Sequence, residues 1–319
     1  MLKMSSLMLV LIICGVSQAQ SWPLMRDERV IVDLLSNGEI DLSKNIAKVM
    51  GKNQGITRIR RIGLTKDGQE IRAAFRDDVI YVNEGNRTGE KFYDAYYNEL
   101  AAYTISKYLG LNIIPITILR RLPISDKGLN KSKKMRQGSL QIWVENSVVE
   151  FEYSVNNRIY FGNKEHKNNQ LKEIIVFDCI IGNVDRHGGN LLVDLNKRVA
   201  DIKLPVEEQQ QYLGKIWAID HSSAFHQKKR LNSRYCKLKN YKKHAISLTF
   251  MRNLRTWNIK DVEADLRSTG LSEKQLKRLN LSALDYRAQE VKNYLETEQK
   301  KRHLSDEEYY SSGVWHDVW

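Results

Sequence analysis

Beyond its first two dozen positions, the 319-residue chain has no apolar run long enough to cross a membrane, since a spanning helix needs about 20 consecutive apolar residues. It has no internal repeat and no low-complexity tract, which removes repeat arrays and fibrous assemblies. No helix-turn-helix, zinc-ligand or aromatic RNA-binding motif is present, so nucleic acid is not the expected partner in spite of the charge. Acidic residues are in short supply, 38 against 51 Lys and Arg, for a net charge of +13 and a pI near 9.5. Such a surface favours acidic partners such as nucleotides, phosphorylated substrates or anionic headgroups. The shortage is most local between His221 and His244, where Lys228, Lys229, Arg230, Arg234, Lys237, Lys239, Lys242 and Lys243 occur without one Asp or Glu.

Cysteine is scarce as well, with three in all. Cys14 falls in a stretch that reads as a secretory signal over residues 1–19. Lys3 supplies the positive end, Leu7 to Val16 the apolar run, and Ser17-Gln18-Ala19 the small residues of a cleavage site. Removal would leave a secreted, periplasmic or secretory-lumen protein with Cys179 and Cys236 alone. The sequence reading prefers these two as unpaired thiols, because spacing along the chain does not establish proximity in space. Asn86, Asn130 and Asn280 head N-x-S/T triplets.

Residues 20–54 read as a helical brace, with periodic apolar positions from Glu28 to about Val49 and Asp41 or Ser43 as the cap of a second short helix. Ile56–Leu64 and Ile71–Phe75 alternate as strands around the hairpin turn Lys66-Asp67-Gly68. From Lys91 to Leu109 the apolar residues take helical spacing, ended by Gly110, with Glu99 among them. Ile113–Leu119 and Leu140–Val144 read as further strands joined by a basic loop. A helix over Leu171–Ile181 follows, then a strand from Leu191, a polar insertion over 197–211 and a strand ending at Asp220. From Ser247 to Thr297 several helices are expected, broken at Asn258, Gly270 and Asn280.

The chemistry concentrates in Asp185-Arg186-His187-Gly188-Gly189-Asn190 and in Ile219-Asp220. An Asp, an Asn five positions later, and a second Asp at the end of an apolar strand form the spacing of a phosphoryl-transfer site. Asp185 would orient or deprotonate an acceptor hydroxyl. Asn190 and Asp220 would hold magnesium or manganese, hard cations that take one or two protein oxygens together with phosphate oxygens and water. His187 would either brace the loop or assist the proton transfer.

At these residues the chain resembles the phosphatidylinositol 3-/4-kinase-like group, its bacterial branch included, and more distantly the kinases of the secretory pathway. Asp185 to Asn190 is similar to the D-R-H-x-x-N catalytic loop of that group, and Ile219-Asp220-His221 to its metal-binding element. Asn98-Glu99-Leu100-Ala101-Ala102-Tyr103, Leu109-Gly110-Leu111, Ile114-Pro115 and Leu140-Gln141-Ile142-Trp143-Val144-Glu145 resemble the bacterial branch in the same order. The resemblance implies an α+β, two-lobed protein-kinase-like fold: a small β-rich lobe over 55–146, a mainly helical lobe over 147–305 and a tail over 306–319. It implies ATP as cofactor, contacted at Gln141, Trp143 and Val144. Relatives carry a Lys at the end of the second strand. Here Arg76 stands at that place, with Arg72 on the same strand face as the alternative, and Glu99 would anchor whichever contacts the phosphates. Ser222 stands where relatives have Gly and is expected to alter loop flexibility.

Two functions are consistent with this reading. One is a kinase that passes the γ-phosphate to a lipid, protein or sugar hydroxyl, its acidic or phosphorylated acceptor met by Lys228, Lys229 and Arg230. The other is a nucleotide-binding pseudokinase or scaffold, which the exchange of Lys for Arg76 favours.

Overall fold

The computed structural model describes residues 28–41, 59–82, 92–124, 134–145, 147–149, 164–194, 215–229, 236, 238, 246–301 and 310–311. The signal-like segment, the 197–211 insertion, the Asn86 and Asn130 triplets, Arg230 and the 306–309 and 312–319 parts of the tail lie outside them.

The upper lobe is an antiparallel sheet in the order β1 (Glu39–Asp41), β2 (Arg60–Lys66), β3 (Gln69–Arg76), β7 (Lys134–Ile142), β6 (Thr117–Ile124). The β2–β3 hairpin turns at Asp67 and Gly68, both with positive φ (51° and 72°), as a two-residue turn matching the twist of its strands requires. Alternation along β3 sends Ile71, Ala73 and Phe75 into the lobe's core and leaves Arg72, Ala74 and Arg76 on the other face, towards the cleft. Helix α1 (Glu28–Asn37) closes that core with Ile31, Leu34 and Leu35, each at most 2% exposed. Each contributes about 1.5–3 kcal/mol of burial, so α1 is a wall of the lobe. Glu39–Asp41, inside the stretch read as a helical brace, instead pairs as a strand with Gly63–Thr65. The second short helix expected after Asp41 or Ser43 lies outside the described residues.

Two further boundaries differ from the pattern read in the sequence. Phe92–Ala95 is not helical but forms β5 against β4 (Val79–Val82), and α2 runs only from Tyr96 to Tyr108. Lys134 and Arg136, expected in a loop, lie in the long strand β7. Helix α2 is buried on most sides and joins the second, larger core. That core is built on α3 (Lys164–Ile181), α4 (Leu248–Arg255), α5 (Ile259–Ser268), α6 (Glu273–Leu279) and α7 (Leu281–Lys301). The breaks between α4 and α7 fall where the sequence put them. Asn258 caps α5 through a side chain accepting the Lys260 N–H, and Asn280 turns from α6 into α7 at φ 50°. A small sheet of β8 (Ser147–Val149), β9 (Leu191–Asp194) and β10 (Ile216–Ala218) lies at the cleft. Ile246–Ser247 (β11) pairs with Tyr310–Ser311 (β12). No described helix is long and apolar enough to cross a membrane.

The expectation of unpaired thiols is corrected: Cys179 and Cys236 form a disulfide, with Cα atoms 5.1 Å apart at a sequence separation of 57. Cys179 sits in the last turns of α3, next to the Asp185–Asn190 turn, and Cys236 in the basic stretch after Asp220, so folding brings together what the spacing left open. Closing a loop of this length removes about 4 kcal/mol of unfolded-state entropy on the chain-entropy account. Cys236→Ser is expected to lower thermal stability by about 2–4 kcal/mol. Melting curves of the variant and of reduced wild type check this, and equal curves with and without reductant would contradict it.

Candidate active site

Arg76, at the end of β3, is 4% exposed and lies among three carboxylates. One guanidinium nitrogen stands 3.3 Å from Glu99 of α2 and 3.7 Å from Asp94 of β5, and the other 2.9 Å from Asp220. Arg72, four residues back on the same face, is exposed and pairs with Glu145, at the end of the stretch Gln141–Glu145 that leaves β7 for the second lobe, here called the hinge. Of the two arginines, Arg76 therefore meets Glu99. Burial works against the charge of Arg76, but Asp220, Glu99 and Asp94 outweigh it and hold the guanidinium above its usual range. At Asp220 burial likewise opposes ionisation, and Arg76, followed by the Ser222 hydroxyl, overrides it to keep the carboxyl below the ordinary value. Asp94 has the opposite balance: desolvation dominates over Arg76 and pushes it up to about 6.

The Asp185–Asn190 turn is closed by a side-chain hydrogen bond and stitched to the Ile219–Asp220 segment by a backbone one. Asn190 Nδ2 donates to the Asp185 carbonyl (2.9 Å), and the Ile219 N–H donates to the Asn190 carbonyl (3.1 Å). The turn holding Asp185 is braced from α3: Asp178, 2% exposed, accepts from Arg186 Nε (2.8 Å) and Asn183 Nδ2 (2.9 Å). Arg186 also donates to the carbonyls of Asn190 (2.6 Å) and Ile219 (2.7 Å), and its other terminus meets His221 Nε2. Arg186 is thus spent inside the protein, as a carboxylate-paired arginine should be. His187 is exposed, and its Nδ1 accepts the Gly189 N–H at 3.0 Å, a cap on the turn before Asn190.

Asp220 adopts a left-handed backbone (φ 56°), uncommon for a residue with a side chain. The neighbours fix it there. Glu99 Oε2 accepts the His221 N–H (3.0 Å), and the Ser222 carbonyl accepts from the Ala95 N–H (3.0 Å) and Asn98 Nδ2 (2.5 Å). The Ser222 hydroxyl donates to Asp220 Oδ1 at 2.9 Å, so the residue that stands where relatives have Gly also acts directly on the carboxylate. Asp94, Asn98 and His221 were missed as site residues in the sequence. The signal available for the first two was their place within five residues before Glu99, Asp94 at the end of β5 and Asn98 in the first turn of α2, among apolar and aromatic neighbours.

The hinge residues take different positions. Gln141 pairs with Ala74 on β3, and its amide donates sideways to Thr117 Oγ1 at 2.8 Å. The Trp143 N–H donates to the Arg72 carbonyl, and its ring carries the Arg61 guanidinium 4.1 Å from the centroid. Val144 is buried against Trp217 and Leu192, joining the hinge to the strand before Asp220. Lys228 and Lys229 are exposed beyond this loop.

The donor set suits a hard divalent cation. With Asn190 Nδ2 engaged, its side-chain oxygen is the atom left to serve a metal, and Asp220 is ionised and 30% exposed. No cluster of three or more metal-ligating side chains exists among the described residues.

A five-stranded lobe over a helical lobe, with an Asp/Asn turn, a strand-end Asp and an ion-paired strand cation in the cleft, defines a protein-kinase-like fold. The sequence model of phosphatidylinositol 3- and 4-kinase matches residues 69–243, over half of the chain, and the chain belongs to that family. No curated protein matches it. Among solved structures it is similar to hydra Fam20 with sugar, at 14% identity and a TM-score of 0.56 over 85% of this chain and 89% of that one. The Golgi casein kinase gives 13% identity and 0.56 over 89% and 79%. Its form with Mn/ADP bound gives 15% and 0.55 over 88% and 78%. At these identities the likeness is one of fold. Fold and family together support phosphotransfer of the kinase type.

Proposed function

We propose that the chain is an ATP-dependent kinase that uses magnesium or manganese and phosphorylates a hydroxyl on an acidic or phosphorylated acceptor. The observation that carries this reading is the buried ion-pair chain from Glu99 through Arg76 to Asp220, joined through Ile219 and Asn190 to Asp185. Arg76 brings positive charge to the end of β3, where nucleotide phosphates would lie under the sheet. Asp185 accepts the proton of the acceptor hydroxyl as its oxygen attacks the γ-phosphorus, and ADP leaves. A divalent ion held by Asn190 and Asp220 would neutralise the phosphate charge. Catalysis of this kind is mostly positioning and electrostatic stabilisation. The Mn/ADP complex of the Golgi casein kinase supports the choice of nucleotide and metal.

The disulfide and the secretory-pathway neighbours support a lumenal or secreted setting, since disulfides persist in oxidising compartments. Lys228 and Lys229, exposed just past the metal-site loop, support an acidic acceptor. A nucleotide-binding protein without turnover is the second reading. It is favoured by the Arg76–Asp220 pair, in which a guanidinium already neutralises the metal-site carboxylate.

The test is turnover of γ-labelled ATP by the full chain, with and without magnesium, beside Asp185→Ala. The variant is expected to bind nucleotide within about threefold of wild type and to lose turnover by about 100-fold or more. Equal turnover in the variant would remove Asp185 from the chemistry. Magnesium-dependent binding without turnover in wild type would select the second reading.

A further inference from the structure

We propose that Arg287 of α7 is a positioning residue that holds the acceptor-facing segment after Asp220 in register with the catalytic turn, a task that in this chain needs no phosphate. The consequence for substrate rests on the kinase reading, and the device itself rests on geometry.

Arg287 is 4% exposed, within the buried stripe Ala283, Leu284, Ala288, Val291, Leu295. Its Nε donates to the Ile180 carbonyl (2.9 Å) and one terminal nitrogen lies 3.4 Å from that of Ile181. The other terminal nitrogen donates to the carbonyls of His226 (3.1 Å) and Lys228 (2.8 Å). The first two oxygens end α3, at the negative end of the helix dipole, where that of Ile181 also accepts the Phe225 N–H at 2.7 Å. The second two belong to the stretch that runs from Asp220 to the exposed lysines. One guanidinium thus joins the helix entering the Asp185 turn to the segment leaving the metal-site loop.

No carboxylate among the described residues pairs with Arg287, and burial lowers its pKa only to about 10, so it stays charged at neutral pH. A leucine or methionine would fill this stripe without the cost of burying a charge. What neither supplies is a planar fork of donors reaching two separate stretches of backbone at once. The turn makes room for it: Gly182, at φ 68°, lies so close that a Cβ there would stand 2.9 Å from the guanidinium carbon. The same segment is tied again from the helical lobe. Asn280 Nδ2 donates to the Gln227 carbonyl (2.8 Å), and Gln227 Nε2 to the Arg278 carbonyl (3.0 Å). In kinases whose corresponding segment is ordered by phosphorylation, the new phosphate recruits an arginine. Here the arginine is already seated on backbone oxygens.

The test compares Arg287→Gln, Arg287→Lys and Asn280→Gly in the full chain. Glycine at 280 accepts the positive φ; it deletes the tie to Gln227 together with the Asn280 Oδ1 cap on the Ala283 N–H, so exchange of the first turn of α7 is read as a control. Amide hydrogen exchange over Phe225–Lys229 is read beside kinetics on a serine peptide flanked by glutamates. Arg287→Gln is expected to speed exchange of that segment about tenfold with α4 and α5 unchanged. It should raise the peptide KM about tenfold, with MgATP affinity held within about twofold. Lysine should restore part of both, and Asn280→Gly should move both the same way by about threefold. Unchanged exchange at 225–229 in Arg287→Gln and Asn280→Gly overturns the proposal, as does a peptide KM that rises only in step with weaker MgATP binding. If Arg287→Gln does not fold, Asn280→Gly and Arg287→Lys decide. If wild type does not phosphorylate the peptide, that acceptor assignment fails, while the exchange data still decide the role of Arg287.

Discussion

Asp220→Ala is expected to abolish magnesium-dependent nucleotide turnover, by about 10³-fold or more, and to remove the dependence of nucleotide affinity on magnesium. The carboxylate has two jobs that the substitution ends together. On the proposed reading it is the oxygen donor to the metal beside Asn190, and it is the 2.9 Å partner of Arg76, which keeps it below the ordinary carboxylate value. Asp220→Asn separates them. An amide oxygen can still accept from the Ser222 hydroxyl and Arg76, so the loop keeps its hydrogen bonds, yet the charge a divalent ion needs is gone. The amide variant should therefore fold like wild type and lose metal dependence, whereas alanine should also loosen the loop. Calorimetric titration of magnesium into the protein with a non-hydrolysable nucleotide reads this directly. Metal dependence unchanged in Asp220→Asn would remove Asp220 from the metal site.

The sequence made this site partly legible because three of its members are fixed by short spacing or by a strand end. Asp185 and Asn190 lie within one turn of backbone, and Asp220 closes a strand that pairs with the residues following Asn190. The two-lobed fold class came from the resemblance carried by these motifs, while alternation in β3 and the helix breaks at Asn258, Gly270 and Asn280 were legible as local signals. What was not legible depends on long-range approach. Arg72 and Arg76 share a strand face, and only the positions of Glu145 and Glu99 assign one to the hinge and the other to the site. Cys179 and Cys236 are joined at a sequence separation of 57 by the packing of α3 against the segment after Asp220. Strand β5 was hidden inside a helical pattern because Phe92, Ala95 and Tyr96 serve strand pairing and then α2 in succession. Arg287 left a faint trace, one cation in the apolar stripe of α7, but its four carbonyl partners come from two other stretches of chain.

Arg76→Lys is expected to retain or raise turnover, and Arg76→Ala to lower both stability and turnover, for one electrostatic reason. The guanidinium reaches Glu99 with one nitrogen and Asp220 with the other. A lysine ammonium has a single charged nitrogen on a flexible stem, so held by Glu99 it surrenders the Asp220 end and leaves that carboxylate to the metal. Alanine removes the only guanidinium paired with Asp94, Glu99 and Asp220 among the described residues, leaving three carboxylates, two of them deeply buried, to repel one another. Stripping one partner from a buried charge network costs about 3–5 kcal/mol. The same deficit makes a distinctive prediction. A divalent cation should stabilise Arg76→Ala more than wild type, because it binds the folded carboxylate cluster without displacing an arginine. Thermal unfolding of wild type, Arg76→Lys and Arg76→Ala, each with and without magnesium, ranks the three, and turnover under saturating MgATP is measured on the same preparations. Kinetics of Arg76→Ala identical to wild type would exclude the phosphate-contact role. A magnesium response equal in all three would mean that the guanidinium does not compete with the metal for Asp220, and would leave the Arg76–Asp220 pair as a bond that helps hold the two lobes in place.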